Sequence, residues 1–248
     1  MTLPAFDRRE REATEQNTDR VREAVALSWS GGKDSALALE SLRERDEVDV
    51  VALLTSVTSG YDRISIHGVR RLLLERQAES LGLPLVTVEL APACSNADYE
   101  AAFLEGLGRL SDAHPRVERI AFGDLYLADV RDYRDRLLSN TRFTGIYPLW
   151  NEPTAALAEH FITAGFAAII VCADTTQIAG SLAGRDFDRA LLAELPPTAD
   201  PCGENGEFHT FVHDGPIFTR AIHVERGDIV LRDGRFAYCD LLPGPSPS

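Results

Sequence analysis

The residues best suited to chemistry begin with Ser30-Gly31-Gly32-Lys33-Asp34-Ser35. Two adjacent glycines let a backbone turn tightly and bring its N–H groups up to an anion without Cβ obstruction. Flanking serines add hydroxyl donors, and a lysine adds a compact positive charge. Lys33 is the only lysine in the chain; the other 24 basic residues are arginine. In a chain that writes arginine for almost every positive charge, a lysine in a glycine turn points to a narrow anionic pocket. Asp34 can cap the following helix or help place a metal ion. A second stretch, Gly203-Glu204-Asn205-Gly206-Glu207, sets two carboxylates three residues apart on a glycine-hinged loop, where they can serve a cationic group, magnesium or ammonia, or form a solvated turn. A third set is dispersed: His67 and Arg70 in His67-Gly68-Val69-Arg70, and Asp124 after Gly123. Arg70 suits a phosphate and His67 a ligand hydrogen bond, or the pair forms a surface cap on a solvated helix face; Asp124 suits a magnesium ion or a ribose hydroxyl. Arg131 and Arg134, one helical turn apart, can grip phosphate or carboxylate or form a salt-bridged surface.

These groups need a scaffold that collects them. Apolar runs at 25–29, 48–57, 85–90, 117–122 and 167–173 alternate with helical patterns at 35–45, 69–81, 97–110, 129–140 and 154–164. Such alternation implies βαβ units and a doubly wound, mainly parallel sheet, an α/β fold whose chemistry gathers at the carboxyl ends of the strands. The phosphate-type loop follows the first strand and opens the first helix, Gly123-Asp124 ends the fourth strand, and His67 and Arg70 lie after the second. Beyond about residue 185 the pattern changes to alternating stretches at 208–212 and 228–240, with Arg232-Asp233-Gly234 as a hairpin turn. A smaller α+β C-terminal domain is expected. The predicted division is a flexible arm at 1–23, an N-terminal domain with the phosphate-type loop at 24–142, a C-terminal domain at 143–241 and a disordered tail at 242–248.

Composition narrows the function classes. A formal net charge of −14 argues against a general nucleic-acid or anionic-membrane binder. The four cysteines are far apart and form no CxxC or metal-like cluster, which suggests free thiols in a reducing compartment. No apolar leader and no run long enough to span a bilayer is visible, so a cytoplasmic protein is expected. A homodimer is compatible with the sequence.

The spacing around Lys33 is not the Walker pattern GxxxxGK[ST]. It resembles the SGGxDS loop of the PP-loop ATP pyrophosphatases, which cleave ATP between the α and β phosphates. From about residue 24 to 240 the chain is similar to one branch of that superfamily, the diphthine–ammonia ligase (diphthamide synthase) family and its bacterial-type relatives. The resemblance rests on the Ser30–Ser35 hexapeptide, His67-Gly68-Val69-Arg70, Gly123-Asp124 with Asp129-Val130-Arg131-Asp132-Tyr133-Arg134, Pro148-Leu149-Trp150, and Cys202-Gly203-Glu204-Asn205-Gly206-Glu207-Phe208-His209-Thr210. It implies an adenine nucleotide α-hydrolase-like fold, ATP and Mg2+ as cofactors, and a C–N ligase that adenylates a carboxylate and forms an amide with ammonia or another amine. Under that resemblance Ser30, Gly31, Gly32, Lys33, Asp34, Ser35, His67, Arg70, Gly123 and Asp124 hold the nucleotide. Asp34 and Asp124 anchor the metal, and Lys33, Asp34, Glu204 and Glu207 carry the catalysis. The chain departs from the family's E-G-G-E-[FY]-E-T run, with Asn205 for a glycine and His209 for an acid. A small molecule or a modified residue other than diphthine is therefore the expected acceptor. Two other readings stand beside the ligase: a nucleotide-binding sensor without turnover, and a tRNA-modifying PP-loop enzyme.

Overall fold

The computed structural model describes residues 22–59, 63–64 and 68–245. Most of the predicted arm, the last residues of the tail and His67 lie outside these. Among the described residues ten strands and six α-helices follow in chain order: β1 (Glu23–Ser28), α1 (Lys33–Arg43), β2 (Val48–Thr58), β3 (Arg63–Ile64), α2 (Arg71–Leu81), β4 (Leu85–Leu90), α3 (Asn96–Ala113), β5 (Arg119–Ala121), α4 (Ala128–Leu138), β6 (Thr144–Ile146), α5 (Thr154–Thr163), β7 (Ala167–Asp174), α6 (Arg189–Glu194), β8 (Phe208–Asp214), β9 (Val224–Arg232) and β10 (Phe236–Pro243). The first sheet runs β4-β2-β1-β5-β6 in parallel, and short β3 pairs antiparallel with the end of β2.

Strand β1 shows why both faces are covered. Val25 and Leu27 point into the core shared with α1 and α2, while Ala24 and Ala26 point to α3, where Phe103, Leu107 and Leu110 pack. A strand buried on both sides reads as a continuous apolar run, which is what the sequence shows there. Helix α1 starts from Gly32 in extended conformation, with no side-chain cap; Asp34 sits in its first turn, where a negative charge favours the helix dipole. Helix α2 ends on Gly82 in the left-handed conformation, and Ser95 with Asp98 forms a capping box at the start of α3.

The second sheet is antiparallel, in the order β8-β7-β10-β9. Residues 167–173, read with the parallel set, therefore belong here as β7, antiparallel to both neighbours. β7 is buried along nearly its whole length, so its residue pattern matches that of a parallel strand. The parallel sheet in turn extends through β6, a strand too short to register as an apolar run. One hydrophobic core continues from Leu27 and Leu37 to Ile169 and Phe211, so the antiparallel sheet lies against the α1–α2 face of the first.

Candidate active site

In the parallel sheet the winding direction changes between β1 and β5, and the segments leaving their carboxyl ends diverge to open a crevice. A cleft of about 850 Å3 occupies this place. Its floor includes Ser30, Asp34 and Ser35 from the glycine loop, and Gly123 and Asp124 from the end of β5. Leu54, Leu90 and Phe122 supply apolar wall beside Tyr99, and Glu204, His209, Arg232 and Tyr238 enter from the second domain.

The loop is tightly specified. Gly31 has φ +78°, and a Cβ there would stand 2.8 Å from both Gln77 Oε1 and Leu74. Ser30 Oγ lies 3.2 Å from Ser35 Oγ and accepts a hydrogen bond from the Gly32 N–H, while Ser35 Oγ donates to Gly32 O at 2.8 Å. Gly123 approaches so closely that an added Cβ would lie 2.9 Å from the Asp34 carbonyl carbon. Its role in this structure is close packing against the start of α1.

Lys33 differs from its expected placement. The side chain is buried, and its ammonium donates to both Asp34 oxygens, at 2.8 and 2.9 Å, and to the Cys202 carbonyl. The rings of Phe208 and Phe187 lie 5.5 and 6.0 Å away. Burial pulls the Lys33 pKa down, but Asp34 and the other neighbouring groups outweigh it, so the ammonium stays charged. The charge thus faces the second domain, and its partner Asp34 is the residue that lines the cleft. The loop backbone is tied to the same domain: Lys33 N–H donates to Thr210 Oγ1 at 3.0 Å, and Val212 N–H donates to Gly31 O at 2.9 Å. Buried Gln77 completes the joint, accepting from Trp29 Nε1 and donating to Gly31 O and Val212 O.

The two loop carboxylates separate. Glu204 reaches the cleft, where its Oε1 accepts from Leu125 N–H at 2.8 Å and Tyr126 N–H at 3.4 Å. Burial, opposed by these hydrogen bonds and reinforced by the Asp34 charge, raises its pKa to about 7. Glu207 instead folds into its own loop, accepting from Asp200 N–H at 2.8 Å and Asn205 Nδ2 at 3.1 Å. Asp124 is gripped by Arg134 at 2.6 and 3.0 Å, and Arg134 also stacks 4.5 Å over Phe122. Arg131 stacks on Tyr147 and Trp150. Arg70 pairs with Asp240 of β10 at 2.6 Å and stands outside the cleft lining.

Gln77, Thr210, Arg232 and Tyr238 are part of this assembly although sequence reasoning did not select them. A polar residue in the buried stripe of α2 is the signal that could have found Gln77, and the hairpin turn beside it the signal for Arg232. Burial raises the Cys172 thiol to about 11 and the Cys202 thiol to about 12, which leaves neither as a thiolate near neutral pH. Among the described residues no three His, Cys, Asp or Glu side chains gather as a metal cluster, and no helix is long and apolar enough to cross a membrane.

Family models describing the diphthamide synthase N-terminal and C-terminal domains match residues 23–143 and 153–240. The chain belongs to the diphthamide synthase family. Relatives named diphthine–ammonia ligase share 22% identity in Schizosaccharomyces pombe, 24% in Danio rerio and 25% in Rattus norvegicus. The matches cover 81%, 84% and 84% of this chain. They cover 36% of the yeast protein, about a third of its length, and 89% and 85% of the other two. For the diphthamide synthase family, the matched boundaries place the glycine loop and Asp124 in the N-terminal domain and Glu204 in the C-terminal one.

Proposed function

We propose that the chain is an ATP-dependent ligase that joins ammonia or another amine to an acceptor carboxylate. The observation that carries this reading is the position of Glu204, which projects from the second domain into the cleft floored by the glycine loop. The acceptor carboxylate attacks the α-phosphorus of Mg-ATP, the bond to the bridging oxygen of the β-phosphate breaks, and pyrophosphate leaves. Ammonia then attacks the acyl carbon, AMP departs and the amide remains. Ser30, Ser35 and the loop backbone hold the phosphates, and the cleft fixes acceptor and nucleotide in line. With a pKa near 7, Glu204 is suited to take the proton the amine loses.

Magnesium enters with the nucleotide. Asp34 and Asp124 line the cleft and would hold such an ion, each sharing its carboxylate with the cation already paired to it, Lys33 and Arg134. When bound it neutralises charge on the phosphates.

Soluble, cytoplasmic operation fits the acidic composition. The boundaries proposed for the nucleotide and acceptor domains remain 24–142 and 143–241. One observation favours a second reading, a nucleotide sensor without turnover: the Lys33 ammonium is committed to Asp34 and Cys202. Incubation with Mg-ATP, ammonium and a panel of carboxylic acids separates the two. The ligase yields AMP and pyrophosphate in an acceptor-dependent manner, the sensor binds ATP without product, and ADP with orthophosphate would refute both.

A further inference from the structure

The cleft wall facing the glycine loop includes the hairpin between β9 and β10. Asp233 and Gly234 turn it, with φ of 53° and 62°, and an arginine stands on each side. Arg235 stacks 4.9 Å from the Phe236 ring and binds Asp174 through Nε at 3.0 Å and Nη2 at 2.6 Å. Asp174 also accepts from Thr176 N–H, Thr176 Oγ1 and Gln177 Nε2, so its buried carboxylate is saturated. Arg232 stacks 5.5 Å from the Tyr238 ring and lines the cleft, yet among the described residues it forms no ion pair.

The charges around it give that arginine a purpose. Asp34 is matched by Lys33 and Asp124 by Arg134. Arg232 is then the cation of the described lining that no carboxylate balances. A quaternary ammonium group would need an aromatic face and an available acid. Here the Tyr238 and Phe236 rings already carry guanidinium groups, Asp174 is bound by Arg235, and Glu204, the remaining acid of the lining, is held by the Leu125 and Tyr126 N–H groups. A guanidinium instead matches a carboxylate in a planar, two-pronged contact. Beyond His209 and Tyr238, which both border it, lies a second cavity of about 360 Å3. It has room for a small molecule.

We propose that Arg232 determines acceptor specificity by binding a carboxylate of a small dicarboxylic acid, whose other carboxylate is the one activated. This rests on the ligase reading and names its substrate class. The anion that meets Arg232 has two sources, the acceptor or the triphosphate of ATP, and the proposal assigns it to the acceptor.

The test measures binding without turnover. Saturation-transfer NMR on the full chain uses succinate and glutarate as dicarboxylate probes and glycine betaine and γ-butyrobetaine, in which a quaternary ammonium replaces one carboxylate, as zwitterionic ones. Calorimetry with magnesium and α,β-methylene-ATP reports the nucleotide separately. The wild type is expected to bind the dicarboxylates and not the betaines. Arg232→Gln, on an exposed hairpin, should retain its melting temperature, lose dicarboxylate affinity by about tenfold or more, and hold the nucleotide within about twofold; Arg232→Lys should recover part of the loss. The proposal is overturned if Arg232→Gln binds dicarboxylates normally, if betaines bind better, if neither class binds, or if only nucleotide affinity falls. Failure of the ligase reading looks different: the wild type then binds no nucleotide, or forms no AMP and pyrophosphate with any acid.

Discussion

Replacing Glu204 with glutamine separates the demands of the site from those of the fold. Burial lifts the Glu204 pKa from an ordinary 4.5 to about 7. A rise of that size corresponds to a ceiling of about 3 kcal/mol of differential interaction between protonation states. For an acid whose folded pKa is raised, the native state holds the proton more tightly than the unfolded chain. The associated stability is fully present below pH 4.5 and is lost as pH climbs to about 7. Glutamine never ionises and escapes that loss, and its carbonyl can still accept the Leu125 and Tyr126 N–H groups. Partial exposure screens the charge, and a neutral acceptor makes weaker hydrogen bonds, so the expected gain is about 1–2 kcal/mol. Urea denaturation at pH 5 and pH 8 measures it: Glu204→Gln should exceed the wild type only slightly at the lower pH and clearly at the higher. Acceptor-dependent AMP formation should rise through pH 7 in the wild type and be low and flat in the variant. A variant that is no more stable than the wild type at pH 8, or equally stabilised at both pH values, would refute the reasoning.

Lys33→Arg keeps the charge but forces a larger, planar group between Phe187, Phe208 and the Cys202 carbonyl; overpacking should cost about 1–3 kcal/mol in a thermal melt. The same variant should slow AMP formation by about tenfold or more, equivalent to about 1.4 kcal/mol, and near-normal turnover would show that the lysine is dispensable. Gln77→Leu leaves the Trp29 indole N–H and the Val212 carbonyl without their partner, so urea denaturation should register a loss of about 2–4 kcal/mol. Native-state alkylation with iodoacetamide at pH 8 should modify Cys94 first, with Cys172 and Cys202 reacting only after unfolding; rapid labelling of either buried thiol would contradict its raised pKa.

The glycine loop was legible because its residue types are tied to backbone geometry: Gly31 adopts the positive φ that its place in the turn requires. The direction taken by Lys33 was not, since its partner is a carbonyl 169 residues away. The same limit applies to Arg70, whose partner Asp240 lies 170 residues away on β10 of the second sheet. The hidden antiparallel pairing of 167–173 has another cause. Burial on both faces erases the alternation that distinguishes the two kinds of strand. Arg232 was hidden for the opposite reason, because an arginine beside an Asp-Gly turn resembles any solvated hairpin charge.

Glu204 and Glu207 show how a fold can give two similar carboxylates different work. Asp200 accepts from the N–H groups of Cys202 and Glu204, while Glu207 accepts from the Asp200 N–H and from Asn205. Gly203 has φ +70°, and a Cβ there would lie 2.9 Å from the Phe208 carbonyl oxygen, so the bend depends on glycine. The loop is braced from within, and Glu207 is one of its braces. That bracing aims Glu204 at the Leu125 and Tyr126 N–H groups after β5, beside the floor formed by the glycine loop. Lys33 holds the same segment from the other side by binding the Cys202 carbonyl. The lone lysine therefore joins the phosphate-type loop to the segment that presents the titrating acid. Its compact ammonium suits a place where one charge must meet a carboxylate and a carbonyl at once.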